Sequence, residues 1–587
     1  MRDSLSFGPS NFQDRGSETF ATSSALTRFA GVDAESTFQM VVRISDPPAS
    51  AEARSSVESK IRVVRSVYPR ATFVTWYNTH SSVLVSRDRR LIAVIVAFKG
   101  ANGKDARLLA RRVVGKFEND GSVLLGGHAV ARDQFEKTTA NDLRTAEAIA
   151  LPLLLLLLLY FFRSVVAAAV PLAAGCVAAV LGCAALRFAT NFAELSIFAM
   201  SFATGLSLGL GVDYSLLMVT RFREEITSGR DRYEAIRVTM RTAGRTVVVS
   251  ASTIGIALSS LLLFPQPYLY SMGLTGIFVA LAAGVVAVTM VPACLLLLGP
   301  RIDGLSIRRV QTGSSGSRAR RQLTAQVLKR PATLALASGA VLIALCLPAL
   351  SANFVLPDDR ALPHDSSAHR VVDAVDRRFT AHAMTPIYIV VKRPSASLKS
   401  VRKRLNETEG KFVVIDRPGV PLVPLYAQVS SLPGVAKMTP FVRREGMAVA
   451  TVIPRFDPKS AATQRLVGDI RSVEVPGVAR PVLVGGSTAA LVDLKESFKD
   501  LLPVVAALVA TTLMLGMFVL TRSVVLALKT IVMGALSFAA TIGLLTVAFQ
   551  DGVLGRTLGF ETEPAIGANE TVLLLVLVFA LTCDYAT

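Results

Sequence analysis

Two residues capable of acid–base chemistry, Asp213 and Tyr214, stand side by side inside the apolar run GLGVDYSLLMVTRFREE, Gly209 to Glu225. The pair recurs as Asp584-Tyr585, 371 residues further on. A charged Asp at the centre of a membrane-spanning helix costs about 2.5–3.5 kcal/mol on insertion scales, so two at matching positions ask for a common role. A carboxyl beside a phenol, coupled to a second such pair, can take up and release a proton. The plainer reading is that each Asp is neutral or paired and only fixes helix packing. Ser250, Ser252 and Thr253 follow in the next apolar stretch. Their hydroxyls can bond their own helix backbone, and Ser250 is a candidate member of the proton cluster.

The elements that must hold these groups are membrane helices. The chain has 587 residues, 51% of them hydrophobic, with a mean hydropathy of +0.49. Those values suit a polytopic membrane protein with water-exposed parts. Apolar segments near 146–162, 165–186, 196–220, 246–264, 270–298, 332–350, 501–520, 523–547 and 571–587 approach the length that crosses ~30 Å of hydrocarbon. The net charge of +20 is concentrated: seven Arg lie between Arg221 and Arg245, and eight Lys or Arg between Arg301 and Arg330. That placement follows the positive-inside rule and puts these loops in the cytoplasm and both polar lobes outside. Without basic–aromatic interleaving or zinc-finger spacing, it does not point to nucleic acid. The five Cys all fall in apolar runs and read as small packing residues.

Two sequence matches expose a duplication. LLGGHA at Leu124 to Ala129 resembles LVGGST at Leu483 to Thr488, and RSVV at Arg163 recurs as RSVV at Arg522, both 359 residues apart. The chain is therefore two copies of one unit, a lobe followed by helices, as in many transporters. Each lobe alternates β-rich runs (Phe38 to Ile44, Leu91 to Phe98, Ile387 to Val391, Ala448 to Ile453) with helical patterns, which predicts split βαβ modules. The boundaries read as a first lobe over 1–144, helices over 145–298, a polar linker over 299–331, one helix over 332–351, a second lobe over 352–500 and helices over 501–587. By the same offset, a helix equivalent to 332–350 is expected before Met1, and two more after Thr587, so the sequence reads as truncated at both ends. The opening stretch MRDSLSFGPSNFQDRG has no apolar core and does not read as a signal peptide.

Other chemistries have little support. No GxxxxGK[ST] is present, which argues against ATP hydrolysis within this chain. The five His form no HExxH, and His364 and His369, in and beyond the polar loop LPDDRALPHD, read as a solvated loop rather than a metal site. Gly205 and Gly209 form a GxxxG, expected to mark close helix packing.

GLGVDYSLLMVTRFREE, together with TAGRTVVVSAS (Thr242 to Ser252) and LLLFPQ (Leu261 to Gln266), resembles the mycobacterial membrane protein large (MmpL) family of resistance-nodulation-division (RND) transporters. The resemblance implies a polytopic α-helical membrane protein, a duplicated RND/MmpL-type unit with two extracytoplasmic α/β porter domains. It implies a multi-pass protein of the inner membrane that is not an enzyme, needs no cofactor or metal, and exports lipids or other hydrophobic molecules using the proton gradient. In that layout 145–298 holds helices 2–6, 332–351 helix 7 and 501–587 helices 8–10. The family's proton relay carries over to Asp213, Tyr214, Asp584 and Tyr585, with Ser250 on the fifth helix. Accessory envelope proteins or a homo-oligomer are the further partners it implies. The alternatives are a non-transporting remnant or scaffold whose lobes bind lipid or partner proteins, and a sterol-sensing-type regulatory domain with the same helical layout. Two kept Asp-Tyr pairs weigh against the latter.

Overall fold

The alternating runs of both lobes fold as β-α-β-β-α-β modules, and the apolar runs as long helices. The computed structural model describes residues 9–33, 36–101, 103–304, 330–356, 362–380, 382, 385–392, 422–444, 446–474, 482–553 and 565–585. In the first half, α1 (Glu18–Ala30) precedes β1 (Thr37–Arg43), α2 (Ala51–Val67), β2 (Ala71–Val74), the short α3 (Trp76–Thr79), β3 (Leu91–Phe98), α4 (Gly103–Lys116) and β4 (Val123–Gly126). There follow α5 (His128–Phe162), α6 (Val165–Ala189), α7 (Phe198–Thr227), α8 (Arg232–Thr239), α9 (Arg245–Ser259) and α10 (Pro267–Leu298). The second half repeats the order with α11 (Pro331–Cys346), β5 (Phe354–Val355), α12 (Ser367–Arg378), β6 (Ile387–Lys392), α13 (Leu422–Ser430), β7 (Val435–Met438), β8 (Val442–Arg444), β9 (Met447–Pro454), α14 (Ala461–Arg471) and β10 (Leu483–Gly485). It ends with α15 (Ser487–Thr521), α16 (Val524–Leu545), β11 (Ile566–Gly567) and α17 (Ala568–Tyr585).

The described residues divide into an α/β unit, within Phe7–Thr139 and Pro357–Phe498, and a helical unit, within Ala140–Leu356 and Lys499–Thr587. In the α/β unit the first sheet has the order β2-β3-β1-β4 and the second β10-β6-β9-β7, with β8 paired to β9. Both orders are those of a split βαβ fold. Period-two alternation decides what each face buries. Phe38, Met40 and Val42 of β1 with Ile92, Val94 and Val96 of β3 meet α2 through Val57 and Ile61 and α4 through Ala106 and Ala110. Phe38 and Phe98 are at most 1% exposed, and burying a side chain of that size contributes roughly 1.5–3 kcal/mol. In the second sheet Ile387, Ile389 and Val452 meet Leu425, Val429, Leu466 and Ile470 in the same way.

The opposite face of each sheet is covered by a helix from the other half of the sequence. Val41, Leu91 and Ala93 of the first sheet pack against Val371, Val375 and Phe379, on and just after α12. Val390 and Val449 of the second pack against Ala25 of α1. The Gly-Gly repeat seen in the sequence is what admits these helices. A Cβ on Gly126 would lie 2.7 Å from Val371 Cβ, and one on Gly485 2.5 Å from Thr22 Cγ2. The second glycine of each pair turns the strand into the next helix, with φ of 83° at Gly127 and 111° at Gly486, a region that favours glycine. Polar groups fix the crossings. Gln134 donates to Ser367 Oγ at 2.8 Å and accepts from the Ala368 amide at 3.1 Å. Glu18 accepts from the Val484 amide at 2.6 Å, and Arg471 lies between Glu18 and Asp493 at 3.3 and 2.6 Å.

Among the described residues, eight helical stretches are long and apolar enough to cross a bilayer: His128–Phe162, Val165–Ala189, Phe198–Thr227, Arg232–Leu263, Pro267–Leu298, Pro331–Ser351, Ser487–Thr521 and Val524–Gln550. Ala568–Thr582 is a shorter apolar helix. Three bounds differ from the hydropathy reading. The helices expected near 146 and 501 begin at His128 and Ser487. Their polar first turns are held by ion pairs that hydropathy does not see, among them Lys137 with Asp133 at 2.7 Å, Arg111 with Asp133 at 3.0 Å, and Asp493 with Arg471. Nor is 221–245 a loop. α7 continues to Thr227, Asp231 caps α8 by accepting from the Tyr233 amide, and a π-helical stretch, Met240–Gly244, joins α8 to α9. Arg221 and Arg230 both pair with the buried Glu225, which lets α7 carry charge beyond its apolar part. The repeated RSVV is one tight helix–helix turn used twice. Arg163 and Arg522 have φ of 54° and 53°, and Ser164 and Ser523 then cap α6 and α16 by accepting from the amides of Ala167 and Leu526. Cys176, Cys183, Cys294 and Cys346, the four whose side chains the structure describes, are free, and Cys176 is exposed rather than packed.

Gly485→Ala should loosen the second lobe by about 1–3 kcal/mol, the usual range for overpacking. Thr22→Gly in the same chain should restore part of the loss, read as hydrogen-exchange protection of β10 and α1; additive effects of the two changes would contradict the contact. A second expectation concerns pH. Lys60, with Nζ 2.6 Å from Asp120 Oδ2, and Ser122 hold the Asp120 carboxyl down to about 2. A group so depressed adds stability above its unfolded value near 3.9 and loses it as pH falls through about 2. For this partly exposed pair the contribution is about 1 kcal/mol. Fluorescence of Trp76, the single tryptophan, should show Asp120→Asn destabilising the first lobe at pH 6, with the difference fading as pH falls through about 2.

Candidate functional site

α7 is placed by small residues. A Cβ on Gly211 would sit 2.7 Å from Gly175 Cα of α6, and one on Gly182 3.0 Å from Ser207 Oγ and 3.1 Å from Val279 Cγ2 of α10. Side chains larger than hydrogen at 175, 182 and 211 would therefore push α6 away from α7 and α10. Close backbone approach through small residues is the usual way membrane helices associate. The expected packing role of Gly205 and Gly209 is not what the structure shows. Both are exposed, with nothing within 4 Å of a Cβ built on them. The close approach lies at Gly211 and Gly175 instead.

Gly205, Gly209 and Asp213 occupy positions i, i+4 and i+8 of α7 and share one face. All three are exposed, and Tyr214, one residue on, is buried at 3% exposure. Two glycines thus leave about 12 Å of helix surface without side chains leading to the carboxylate. The sequence suggests a buried Asp; the structure sets Asp213 on the open face of its helix and buries the neighbouring phenol. Beneath the pair, Ser215 Oγ donates to the Gly211 carbonyl at 2.6 Å. At the end of α7, Arg223 donates to the Phe162 carbonyl at 3.2 Å and lies 5.7 Å from its ring. That contact satisfies one of the orphan carbonyls at the end of α5.

Ser250 is 2% exposed on α9. Thr253, one turn further on, meets α15 where a Cβ on Gly516 would lie 2.6 Å from Thr253 Oγ1. α9 and the 3-10 turn that follows it, Ser260–Leu263, pack on α10 through Gly273, Gly276 and Gly284, whose hydrogens face Leu261, Leu258 and Ala251. The final helix, α17, packs along α9 and α16 and touches α10, while α7 packs on α6 and α10. α10 is therefore the common neighbour of the helices that carry the two Asp-Tyr pairs. The backbone of α17 reaches Tyr585, but the side chains of Asp584 and Tyr585 lie outside the described residues. The sequence reading missed the Gly175–Gly211 contact, although the small-residue run AAAVPLAAGCVAA from Ala167 to Ala179 carried the signal.

Membrane-length helices in two copies, each copy headed by a split βαβ lobe, define a multi-pass membrane protein of transporter architecture. The chain belongs to the MMPL family, whose model matches residues 12–334. It is similar to the membrane protein SCO6666 of Streptomyces coelicolor, 32% identical over 552 residues that cover 92% of this chain and 72% of the relative. It is also similar to the trehalose monomycolate exporter MmpL3 of Mycobacterium tuberculosis, 29% identical over 79% of this chain and 51% of the relative. A third relative is the mycolic acid-containing lipids exporter MmpL11 of Mycolicibacterium smegmatis, 29% identical over 76% of this chain and 46% of the relative. The chain spans about half the length of these two exporters.

Gly211→Val should disrupt the seat of α7 on α6, costing about 1–3 kcal/mol and lowering the thermal midpoint of the detergent-purified protein. Gly209→Ala, on the open face, should leave that midpoint unchanged. Equal effects would contradict the assignment of the two faces.

Proposed function

We propose that the chain acts as an exporter of lipids or other hydrophobic molecules, driven by protons that load and leave Asp213. The observation that carries this reading is the Asp213 carboxylate on a membrane helix, set on a glycine-lined open face beside a buried phenol. An ionisable group at that depth marks an ion path by default. Its family membership and the lipid exporters among its relatives support the cargo class. Asp584, Tyr585 and Ser250 complete the relay in this proposal, and α10 touches both helices that carry its two halves. The Arg-rich segments 221–245 and 301–330 face the cytoplasm by the positive-inside rule, which places both α/β lobes outside.

In this mechanism the proton enters along the Gly205–Gly209 face and neutralises Asp213. A neutral carboxyl no longer resists an apolar surround, so protonation favours closure of a neighbouring helix over that face. Release of the proton reverses the preference. The cycle gives two arrangements of the helical unit, and cargo moves only if the two lobes respond to the exchange.

Asp213→Asn should reduce lipid export to the level of cells without the protein, with abundance and membrane insertion unchanged. Asp213→Glu, which keeps an ionisable group, should retain part of the activity. Export that survives Asp213→Asn would remove the coupling role and favour the scaffold reading, in which the lobes bind lipid or partner proteins without transport.

A further inference from the structure

His364, His369 and Asp373 come together at the start of α12, with one ligand atom from each lying within 4.8 Å of the others. His369 is 5% exposed, His364 is exposed, and Asp373 is intermediate. The two imidazoles pack edge to face at 4.3 Å between centroids. Sequence spacing gave no sign of this, because the pair is five residues apart across a loop that reads as solvated. The fold brings it about by turning Leu362–Ser366 back over the first turns of α12, where Ser366 Oγ caps the helix by accepting from the His369 amide at 3.2 Å.

The hydrogen bonds assign the protons. His369 Nδ1 lies 2.7 Å from the Leu362 carbonyl oxygen. A carbonyl can only accept, so Nδ1 carries the hydrogen, and the neutral ring keeps its lone pair on Nε2. That nitrogen faces His364 Nδ1 at 2.6 Å and Asp373 Oδ1 at 3.9 Å. Asp373 Oδ2 meanwhile accepts from Arg377 at 3.1 Å, which leaves Oδ1 turned toward the imidazoles. A metal-ligating histidine usually has its other ring nitrogen held in this way, by a backbone carbonyl or carboxylate that fixes the tautomer and the ring orientation. His369 and Asp373, at i and i+4, present two of the ligands from one helix face.

We propose that His364 Nδ1, His369 Nε2 and an Asp373 carboxylate oxygen form a site for a divalent transition-metal ion of the zinc class. Zinc with nitrogen ligands at about 2.0–2.1 Å in tetrahedral geometry holds ligand atoms roughly 3.3 Å apart. The observed 2.6 and 3.9 Å bracket that value, so small rotations of the exposed His364 and of Asp373 complete the set. Solvent fills the fourth position. Loading gives up the hydrogen bond between His364 Nδ1 and His369 Nε2 and forms three bonds from the protein to the metal. The neutral His364 ring passes its Nδ1 proton to solvent and takes one up at Nε2, freeing the Nδ1 lone pair with no net change of charge on the ring. The consequence is mechanical. The metal ties residues 362–364 to α12, the helix that crosses to the first sheet through Val371 and Val375, and so clasps the crossing.

The test uses the whole chain, without any polyhistidine tag, purified in detergent and stripped of metal. Titration with Co2+ should give the intense visible bands of a four-coordinate nitrogen–oxygen site at one ion per chain, and Zn2+ should displace it. His364→Ala and Asp373→Asn, both at accessible side chains, should each weaken Zn2+ binding by more than the ~10–100-fold typical of losing an outer-shell partner. Zn2+ should also slow hydrogen exchange over residues 362–375 in the parent and not in either variant. Absence of a stoichiometric Co2+ spectrum, or binding that neither substitution weakens, would overturn the proposal.

Discussion

Each sheet of the α/β unit has two apolar faces and only one set of helices from its own half to cover them. Val41, Leu91 and Ala93 on the first sheet, and Val390 and Val449 on the second, would meet water without the helix that comes from the other half. Two glycine pairs make the exchange possible: no other residue lets Val371 and Thr22 approach Gly126 and Gly485 so closely. The hydrophobic effect supplies the drive, and the absence of a Cβ supplies the fit. The ion pairs of Arg471 with Glu18 and Asp493 then fix where α1 lies along the strands.

The helical unit solves a related problem in a different solvent. Between lipid-like surfaces no hydrophobic drive separates right from wrong neighbours, so shape decides. Gly175 and Gly211 bring α6 onto α7, and Gly273, Gly276 and Gly284 bring α9 onto α10. Glycines 205 and 209 differ in kind: they face outward and keep the approach to Asp213 bare. The same residue type thus closes one side of α7 and opens the other.

Much of this was legible in the residues. Apolar runs located the spans, period-two alternation located the strands, and the repeated LLGGHA/LVGGST and RSVV marked two copies whose local backbones match, down to positive φ at both Arg163 and Arg522. What stayed hidden depends on partners remote in sequence. The apolar stripe of α12 says that the helix docks through Val371 and Val375, but nothing in it names the sheet. The polar first turns of α5 and α15 look like loop until Asp133 and Asp493 find their arginines. A GxxxG reads as an interface whichever way it points, and Gly205 and Gly209 point outward. The two histidines meet only because a cap at Ser366 folds their loop onto the helix.

The crossing helices also bear on how the chain is made. When β4 leaves the ribosome, the helix that covers its outer face, some 240 residues further along, has not been translated. At about 5–20 residues per second that delay is on the order of tens of seconds, far longer than a helix or hairpin needs to form. Throughout it the first lobe carries an uncovered apolar sheet face while helices α5 to α11 enter the bilayer. The first lobe is therefore a late-maturing domain despite being synthesised first, because Val41 and Leu91 gain their cover only when Val371 arrives.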